Sequence, residues 1–315
     1  MLFKKYCKCT KYTKGVNMKK DCKLIGTLPH IYNEKAVKEM MENKDISEVR
    51  FNSGVNELLS QGEIISILKE LENKYHKKVW IDLKGRQLRV TSWADTSYEA
   101  IELNHEIELE YPAKVIFRNG TSSNILHTKG NKIILETPPE KALGKGQSIN
   151  IKAKNLDIKG YLTLLDKELI KESKKQGMNN YMASFTESSN DLKEIFYLNE
   201  KSIIIPKIES LKGIKYALEN NIFTPMLARE DLWIECKDDI NILKVLRSLS
   251  LKYKEAICAS RLFSSLDREK EISLSDLEDL ELMYLYGYKN FMLPDGMEGE
   301  KLTKALKGWR MFKYE

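Results

Sequence analysis

Residues 203–210 read Ile-Ile-Ile-Pro-Lys-Ile-Glu-Ser, a short apolar run that ends in charged side chains. The run predicts a buried strand over 203–206, and the residues over 210–219 that follow it predict a helix. The same alternation fills the second half of the sequence, with strands predicted at 181–184, 224–227, 256–259 and 291–293, and helices at 163–175, 188–198, 239–253, 273–286 and after 299. The helix over 163–175 opens with Thr163 and Asp166, which have the spacing of a capping box.

The first quarter of the sequence has the same rhythm. Strands are predicted at 23–28, 48–51 and 79–82, and helices follow the first two of them. Three strands here and five in the second half make eight. Alternating strands and helices imply parallel strands, and eight of them close into a (β/α)8 TIM barrel without exposed edges. A doubly wound open sheet is the structural alternative.

The alternation stops between about residues 90 and 155. Short β-prone stretches at 107–111, 114–117 and 132–136 are separated there by turn dipeptides such as Lys129-Gly130 and Pro138-Pro139. This pattern predicts a small β-rich insert after the third barrel strand. The expected organisation is a basic N-terminal extension at 1–20, the first part of the barrel at 21–90, a lid-like insert at 91–155, and the rest of the barrel at 156–315.

Composition restricts the class of protein. The chain has 52 basic and 46 acidic residues, a net charge of +6, and 31% charged residues, so its surface is nearly balanced and nucleic acid is an unlikely partner. The sequence contains no apolar run of the roughly 18 to 20 residues that a membrane span requires. The five cysteines form no paired framework, which favours reduced thiols and a cytoplasmic location.

Polar side chains stand at or just after most of the predicted strands, where TIM barrels build their active sites. Glu209 and Asp231 follow neighbouring strands, and such a carboxylate pair is suited to Mg²⁺ or Mn²⁺ with positions left open for substrate oxygens. Lys207 lies two residues before Glu209. Its ammonium group would neutralise negative charge on an enolate or on a transferring phosphoryl group.

Six short blocks, in chain order, resemble the catalytic barrel of the pyruvate kinase family and span about residues 22–297. The stretch at 204–214, IIPKIESLKGI, is similar to the family's S-K-I-E-N block, and MLAREDL at 226–232 is similar to M-V-A-R-G-D-L. The other four blocks are Arg50-Phe-Asn52-Ser53, Asp82-Leu-Lys84-Gly85 with Arg89, Met182-Ala-Ser-Phe185 and Ile257-Cys-Ala-Ser260.

The resemblance implies a role for each matching residue. Lys207 would stabilise the enolate and the phosphoryl group, and Glu209 and Asp231 would bind Mg²⁺. Arg50 and Arg89 would contact the phosphate end of phosphoenolpyruvate. The remaining assignments are Ser260, near the face on which the enolate is protonated, and the potassium ligands Asn52, Ser53 and Asp82.

The sequence also departs from the family pattern. Glu230 replaces a glycine whose backbone approaches the substrate carboxylate, and the histidine of the family's F-S-H-G block, on the nucleotide side, has no counterpart after Ser53-Gly54. The family's M-L-S-G-E block reads Met-Leu-Pro-Asp-Gly at 292–296. The insert is shorter than the family's lid domain, and no counterpart of the C-terminal domain is recognised, so we expect a monomer or a dimer formed through the barrel.

Three functions follow as hypotheses. The first is a magnesium-dependent, pyruvate kinase-like transferase that uses phosphoenolpyruvate or a related 2-oxo acid, with ADP or ATP as phosphoryl partner. The second is a metal-dependent lyase or decarboxylase of a 2-oxo acid, which needs the same enolate chemistry without a nucleotide. The third is a barrel without catalysis that serves as a binding or assembly protein.

Overall fold

The computed structural model describes residues 18–54, 58–94, 97, 99–117, 120–221 and 224–314. Most of the predicted N-terminal extension therefore lies outside the described residues, and a 3-10 turn at Met18–Asp21 leads into the first strand. Within the described residues the strands are β1 (Lys23–Thr27), β2 (Ile46–Asn52), β3 (Val79–Leu83), β4 (Ala100–Glu102), β5 (Ile107–Phe117), β6 (Ser122–Lys129), β7 (Lys132–Leu135), β8 (Ile149–Ile158), β9 (Asn180–Ala183), β10 (Ile203–Ile208), β11 (Met226–Ala228), β12 (Ile257–Ala259) and β13 (Asn290–Met292).

Eight of these strands form a closed parallel barrel. Around the barrel they follow chain order, β1, β2, β3, β9, β10, β11, β12 and β13, and β13 pairs with β1 to complete the ring. The prediction of an eight-stranded parallel barrel is thus confirmed, and the open doubly wound alternative is wrong. Because parallel strands all run in one direction, the residues at their carboxyl ends meet at one rim.

The barrel interior is packed with apolar side chains from seven of its strands. These residues alternate with neighbours that face the surrounding helices, as the pleat of a strand requires. The interior set is Ile25, Trp80, Met182, Ile205, Met226, Ile257, Ala259 and Met292. A larger core fills the space between the barrel and its helices, so the barrel is a solid support for its rim.

The helices around the barrel begin close to the predicted positions. They are α1 (Glu34–Glu42), α2 (Gln61–Tyr75), α3 (Leu164–Lys175), α4 (Ser189–Leu198), α5 (Leu211–Glu219), α6 (Arg229–Cys236), α7 (Ile242–Lys252), α8 (Leu274–Tyr286) and α9 (Gly299–Tyr314). Helix α6 was not predicted. Its buried side includes the charged residue Arg229 beside Leu232 and Cys236, so no purely apolar stripe marks it in the sequence.

A separate antiparallel sheet has the strand order β4-β7-β6-β5-β8 and its own hydrophobic core. Its strands lie between β3 and β9 in the sequence. Strand β8 continues to Ile158, so the boundary expected at residue 155 falls inside a strand. The sheet touches the barrel at α6, where Asn150 donates to Glu235 at 2.5 Å and Lys152 pairs with Asp238.

Asp166 ties the start of α3 to the end of β3. Its carboxylate accepts hydrogen bonds from the backbone amides of Lys84 at 2.8 Å and Gly85 at 3.1 Å, and it completes the predicted capping box with Thr163. Gly85 has φ +49, and a Cβ there would lie 2.3 Å from the carbonyl oxygen of Ser184. The turn that carries Lys84 is therefore fixed on both sides.

We expect Asp166→Ala to lower the free energy of unfolding by about 2–4 kcal/mol, because it removes a helix cap and leaves two buried amides without an acceptor. Urea denaturation of the full chain measures this loss. Glu168→Ala, on the same helix, is the matched control and is expected to change stability by about 0.5 kcal/mol or less. Equal stability of the two variants would show that the Asp166 anchor contributes nothing.

Among the described residues, no helix combines the length and apolar character needed to cross a membrane.

Candidate active site

Asp82 lies at the centre of a charged cluster at the carboxyl rim of the barrel. Its Oδ2 is 3.0 Å from Nε of Arg50 and 3.7 Å from Nζ of Lys84, and its Oδ1 is 3.2 Å from Nζ of Lys207. Burial alone would raise the pKa of Asp82, yet the charges of Lys207, Lys84 and Arg50 outweigh it and hold that pKa well below its ordinary value. The carboxylate therefore stays ionised and holds the cations of Arg50 and Lys207, while burial lowers the pKa of the third neighbour, Lys84, to about 7.

Lys207 projects from β10 into this cluster with three polar neighbours. Its Nζ donates to Oγ of Ser184 at 2.8 Å and lies 3.2 Å from both Asp82 and Glu209. Burial tends to lower the pKa of Lys207, but the charges of Asp82 and Glu209 more than compensate and raise it. The ammonium is thus charged, buried and fixed in direction, as a group that stabilises developing negative charge must be.

Glu209 and Asp231 form the predicted carboxylate pair. Oε2 of Glu209 accepts a hydrogen bond from the backbone amide of Phe185 at 2.7 Å. Its Oε1 is buried and faces Lys207 at 3.2 Å, but no donor reaches it with hydrogen-bond geometry. Asp231 stands half-buried in the first turn of α6, and burial together with the charge of Glu209 raises its pKa to about 7. Burial is the larger of these two causes, and the charge of Glu209 adds to it.

These two carboxylates fit a magnesium ion. Mg²⁺ is commonly held by one or two carboxylates, with water or substrate oxygens completing its shell. A divalent cation held by Glu209 and Asp231 would give Oε1 of Glu209 a further partner and would offset the burial and the Glu209 charge that raise the pKa of Asp231. Within the described parts of the chain, no cluster of three or more His, Cys, Asp or Glu side chains is arranged to hold a metal, so the protein itself would supply only this pair.

Metal binding at this pair is expected to depend on pH. Below about pH 7 Asp231 carries a proton that the metal must displace, so affinity for Mn²⁺ is expected to fall about tenfold per pH unit below 7 and to level off above it. Since the pKa of Asp231 is higher in the folded than in the unfolded chain, metal-free stability declines as pH rises from 3.8 to about 7.

Calorimetric titrations with Mn²⁺ below and above pH 7, in buffers with different ionisation enthalpies, measure the affinity and the protons released. Glu230→Gln is the control, since it changes a neighbouring acid on α6 and leaves the Asp231 carboxyl in place; Asp231→Asn is expected to take up no Mn²⁺ at either pH. An affinity that does not change across neutral pH in the wild-type protein would show that Asp231 is not a ligand.

The predicted potassium ligands already have partners. Oδ1 of Asn52 accepts from Nζ of Lys84 at 2.6 Å, and Oγ of Ser53 donates to the backbone oxygen of Asp82 at 2.5 Å. The register pairs Asn52 with Asp82 across β2 and β3, so the three residues are neighbours as the resemblance implies. In this arrangement, however, Nζ of Lys84 already lies 2.6 Å from Asn52 and 3.7 Å from Asp82, where an added monovalent cation would bind, so these residues do not fit potassium.

Arg89 and Ser260 lie at the edges of the cluster. The guanidinium of Arg89 donates to Gln87 and to the backbone oxygen of Gly146, and it lies against Gly54, where a Cβ would come 2.9 Å from Nη1. Oγ of Ser260 donates to the backbone of Ala259 at 2.7 Å and accepts from the amide of Glu230 at 2.9 Å. Among the described residues, no hydrogen bond or ion pair joins Arg89 or Ser260 to Lys207.

The backbone is strained where strands enter the rim. Phe185, Ser260 and Arg261 all have positive φ, at +49, +59 and +61, although none is a glycine. Such conformations persist only where the surrounding structure enforces them, and they concentrate at functional sites. At Phe185 the strained turn directs its amide towards Glu209, so the strain serves to orient that carboxylate.

Besides Ser184, the structure adds Asp295 to the predicted site. Asp295, which follows β13, contacts Arg50 through both carboxylate oxygens at 3.2 and 3.3 Å and accepts from Nδ2 of Asn52 at 2.8 Å. The sequence signal was the replacement of the family's S-G-E by Pro-Asp-Gly. No local pattern indicated that this acid reaches across the barrel to β2, because β13 and β2 are separated in the ring by β1.

Two surface cavities border the barrel. One, of about 540 Å³, opens at the amino ends of the strands between Lys23, Trp80 and Ile257, which is the opposite end of the barrel from Lys207. The other, of about 600 Å³, lies between β8 and the barrel and is bordered by Lys152, Ser210 and Glu235. Neither cavity is lined by Lys207, Glu209 or Asp231; the second includes Ser210, the residue that follows Glu209 in the sequence.

No protein-family model matches the sequence, and no curated protein matches it at a significant level. The assignment of a function therefore depends on the six motifs and on the geometry of the rim.

Proposed function

We propose that this protein is a magnesium-dependent, pyruvate kinase-like enzyme that stabilises the enolate of pyruvate or of a related 2-oxo acid. The observation that carries the proposal is the convergence of Lys207, Asp82 and Glu209, with Lys207 Nζ 3.2 Å from each carboxylate. A fixed ammonium beside a carboxylate pair is what an enolate requires, because charge that develops on the substrate oxygen meets a cation already in place.

Each residue has a proposed task. Asp82 and Ser184 hold Lys207 charged and aimed, and Glu209 with Asp231 would hold Mg²⁺, which polarises the substrate oxygens when bound. In the transferase reaction the phosphorus–oxygen bond of phosphoenolpyruvate breaks, the phosphoryl group passes to ADP, and the electron pair left on oxygen forms the enolate. Protonation of its terminal carbon gives pyruvate. Arg50 and Arg89 would receive the phosphate, and Ser260 would lie near the protonated face.

The antiparallel sheet is proposed to act as the lid over this rim. Its strand β8 contacts α6, the helix that carries Asp231, through Asn150 and Glu235. Closing a lid over an active site excludes water and strengthens the electrostatic interactions inside. This role supports the proposed division of the chain into a barrel and an insert.

A coupled assay with phosphoenolpyruvate, ADP, Mg²⁺ and K⁺ tests the transferase reaction. Formation of pyruvate that requires both ADP and Mg²⁺ is the expected result. The same assay compares pyruvate formation with and without K⁺, because Lys84 already bridges Asn52 and Asp82, two of the predicted potassium ligands. Absence of pyruvate formation by purified, folded protein would exclude the kinase reaction.

A lyase or decarboxylase of a 2-oxo acid is the second candidate, and one observation favours it. Arg50, the expected phosphate ligand, is already paired with Asp82 and Asp295, and the amide of Glu230 is taken by Ser260. Substrates without a phosphate do not need Arg50 to be released. Pyruvate release from oxaloacetate or a 4-hydroxy-2-oxo acid that requires metal but not ADP would favour this reaction over phosphoryl transfer.

A further inference from the structure

Arg50 is held between two carboxylates on opposite sides. Its Nε lies 3.0 Å from Oδ2 of Asp82, inside the barrel, while Nη2 contacts Asp295 on the solvent side. Nδ2 of Asn52 donates to the same Asp295 carboxylate at 2.8 Å. Two donors from β2 therefore converge on one carboxylate that belongs to a distant loop.

Donors that hold a carboxylate in this way also suit other oxyanions. A guanidinium and an amide that converge on one group provide the charge-assisted hydrogen bonds used for phosphate and for substrate carboxylates. We propose that Asp295 is a resident anion that occupies the oxyanion site formed by Arg50 and Asn52, and that an incoming phosphate or carboxylate must displace it. This inference rests on the proposed function only in taking Arg50 as the ligand of the substrate's anionic group.

The Asp295 side chain can leave the oxyanion site while Arg50 stays paired with Asp82. The Asp295 side chain is 48% exposed, whereas that of Arg50 is 9% exposed and that of Asp82 only 1%. Asp295 lies between Pro294 and Gly296, and Gly296 has φ +76 with no atom within 4 Å of a Cβ built there. When Asp295 turns towards water it can be hydrated, and Asp82 still keeps Arg50 in position.

The resident anion is present throughout the neutral pH range. Burial would raise the pKa of Asp295, but the charge of Arg50 and the hydrogen bond from Asn52 lower it below the ordinary value. Every external anion therefore competes with an ionised carboxylate, and its apparent affinity falls by the fraction of time that Asp295 occupies the site. Asp295 thus lowers the apparent affinity of every anion at this site by the same factor.

Inorganic phosphate is the probe, titrated by calorimetry into the full chain at constant ionic strength. Asp295→Asn keeps the shape and removes the charge, and it is expected to bind phosphate about tenfold more tightly or better. Asp295→Ser removes the carboxylate altogether and is expected to act in the same direction. Glu298→Gln is the matched control, since it removes a charge from the same loop where Glu298 contacts Asn33 and not Arg50.

Three results together support the proposal. Phosphate binds more tightly to both Asp295 variants, and its affinity for Glu298→Gln is unchanged. The double variant Arg50→Gln with Asp295→Asn does not show the gain. Phosphate affinity equal to wild type in both Asp295 variants overturns it. An equal gain in Glu298→Gln also overturns it, because the effect is then one of net charge. If phosphate binding tightens but no enolate turnover is found, the proposed function fails and the resident anion stands.

Discussion

Replacing Lys207 by methionine is expected to reduce enolate turnover by about 10²- to 10³-fold, the loss typical when one fixed donor to a developing oxyanion is removed. The reason is the position of Nζ, buried between Asp82 and Glu209 and aimed by Ser184. The turnover number per folded protein, measured with saturating substrate and metal, checks this result. Substrate affinity is expected to change less, because the negative charge that the Lys207 ammonium neutralises is largest in the transition state.

The Lys207 variant requires controls for stability. Removal of one partner from a buried ion pair costs about 3–5 kcal/mol, so Lys207→Met is expected to unfold more readily as well. Lys207→Arg keeps the positive charge but spreads it over a larger group. Its turnover therefore separates the effect of misplacing the charge from the effect of removing it. Lys201→Met, an exposed lysine near the opposite end of β10, is expected to retain full turnover. Wild-type turnover in folded Lys207→Met would remove the enolate mechanism.

Neutralising the carboxylate pair is expected to abolish metal binding. Glu209→Gln and Asp231→Asn each remove a direct ligand. Removing an outer-shell partner typically lowers metal affinity about 10- to 100-fold, and the loss of a direct ligand is expected to lower the affinity for Mn²⁺ by more than that. Titration of Mn²⁺ followed by electron paramagnetic resonance measures the affinity. Glu230→Gln, the neighbouring exposed acid on α6, is the matched control and is expected to bind Mn²⁺ as the wild type does.

Asp231→Asn is expected to weaken metal binding but to stabilise the metal-free protein. Above about pH 7 Asp231 is ionised, and the burial of this charge together with its repulsion by Glu209 destabilises the metal-free fold. Asp231→Asn is therefore expected to melt at a higher temperature than wild type in EDTA at this pH, and to show no further increase when Mg²⁺ is added. If both acid variants retain metal binding and biological effect, the pair is dispensable and the binding-protein hypothesis gains.

The sequence allowed the barrel to be predicted because its strands are short apolar runs with helices between them. The predicted strand at 203–206 corresponds to β10, and that at 79–82 corresponds to β3. Helix α6 could not be predicted in the same way, because its buried side is anchored by Arg229, which pairs with Asp279 at 2.6 Å. An apolar periodicity cannot reveal a helix whose main buried contact is an ion pair.

The site was partly predictable for a similar reason. Lys207, Glu209 and Asp82 stand at strand ends, and once the strands are parallel their ends must meet. What the sequence could not reveal is which partner each charge takes. Lys84 bridges Asn52 and Asp82, and Asp295 reaches Arg50, because side-chain length and barrel closure bring together residues that are remote in sequence.

The anchor at Asp166 has a consequence for how this chain can vary. The backbone leaves the barrel after Lys84 and returns at Thr163, and these two points are hydrogen-bonded to one side chain. The segment between Lys84 and Thr163 therefore leaves and rejoins the barrel at two points that the Asp166 side chain holds together. Away from Arg89 and from the contacts of Asn150 and Lys152 with α6, changes of length or composition in the intervening stretch need not be transmitted to the eight-stranded ring, so new specificity can arise there while the charged rim keeps its geometry.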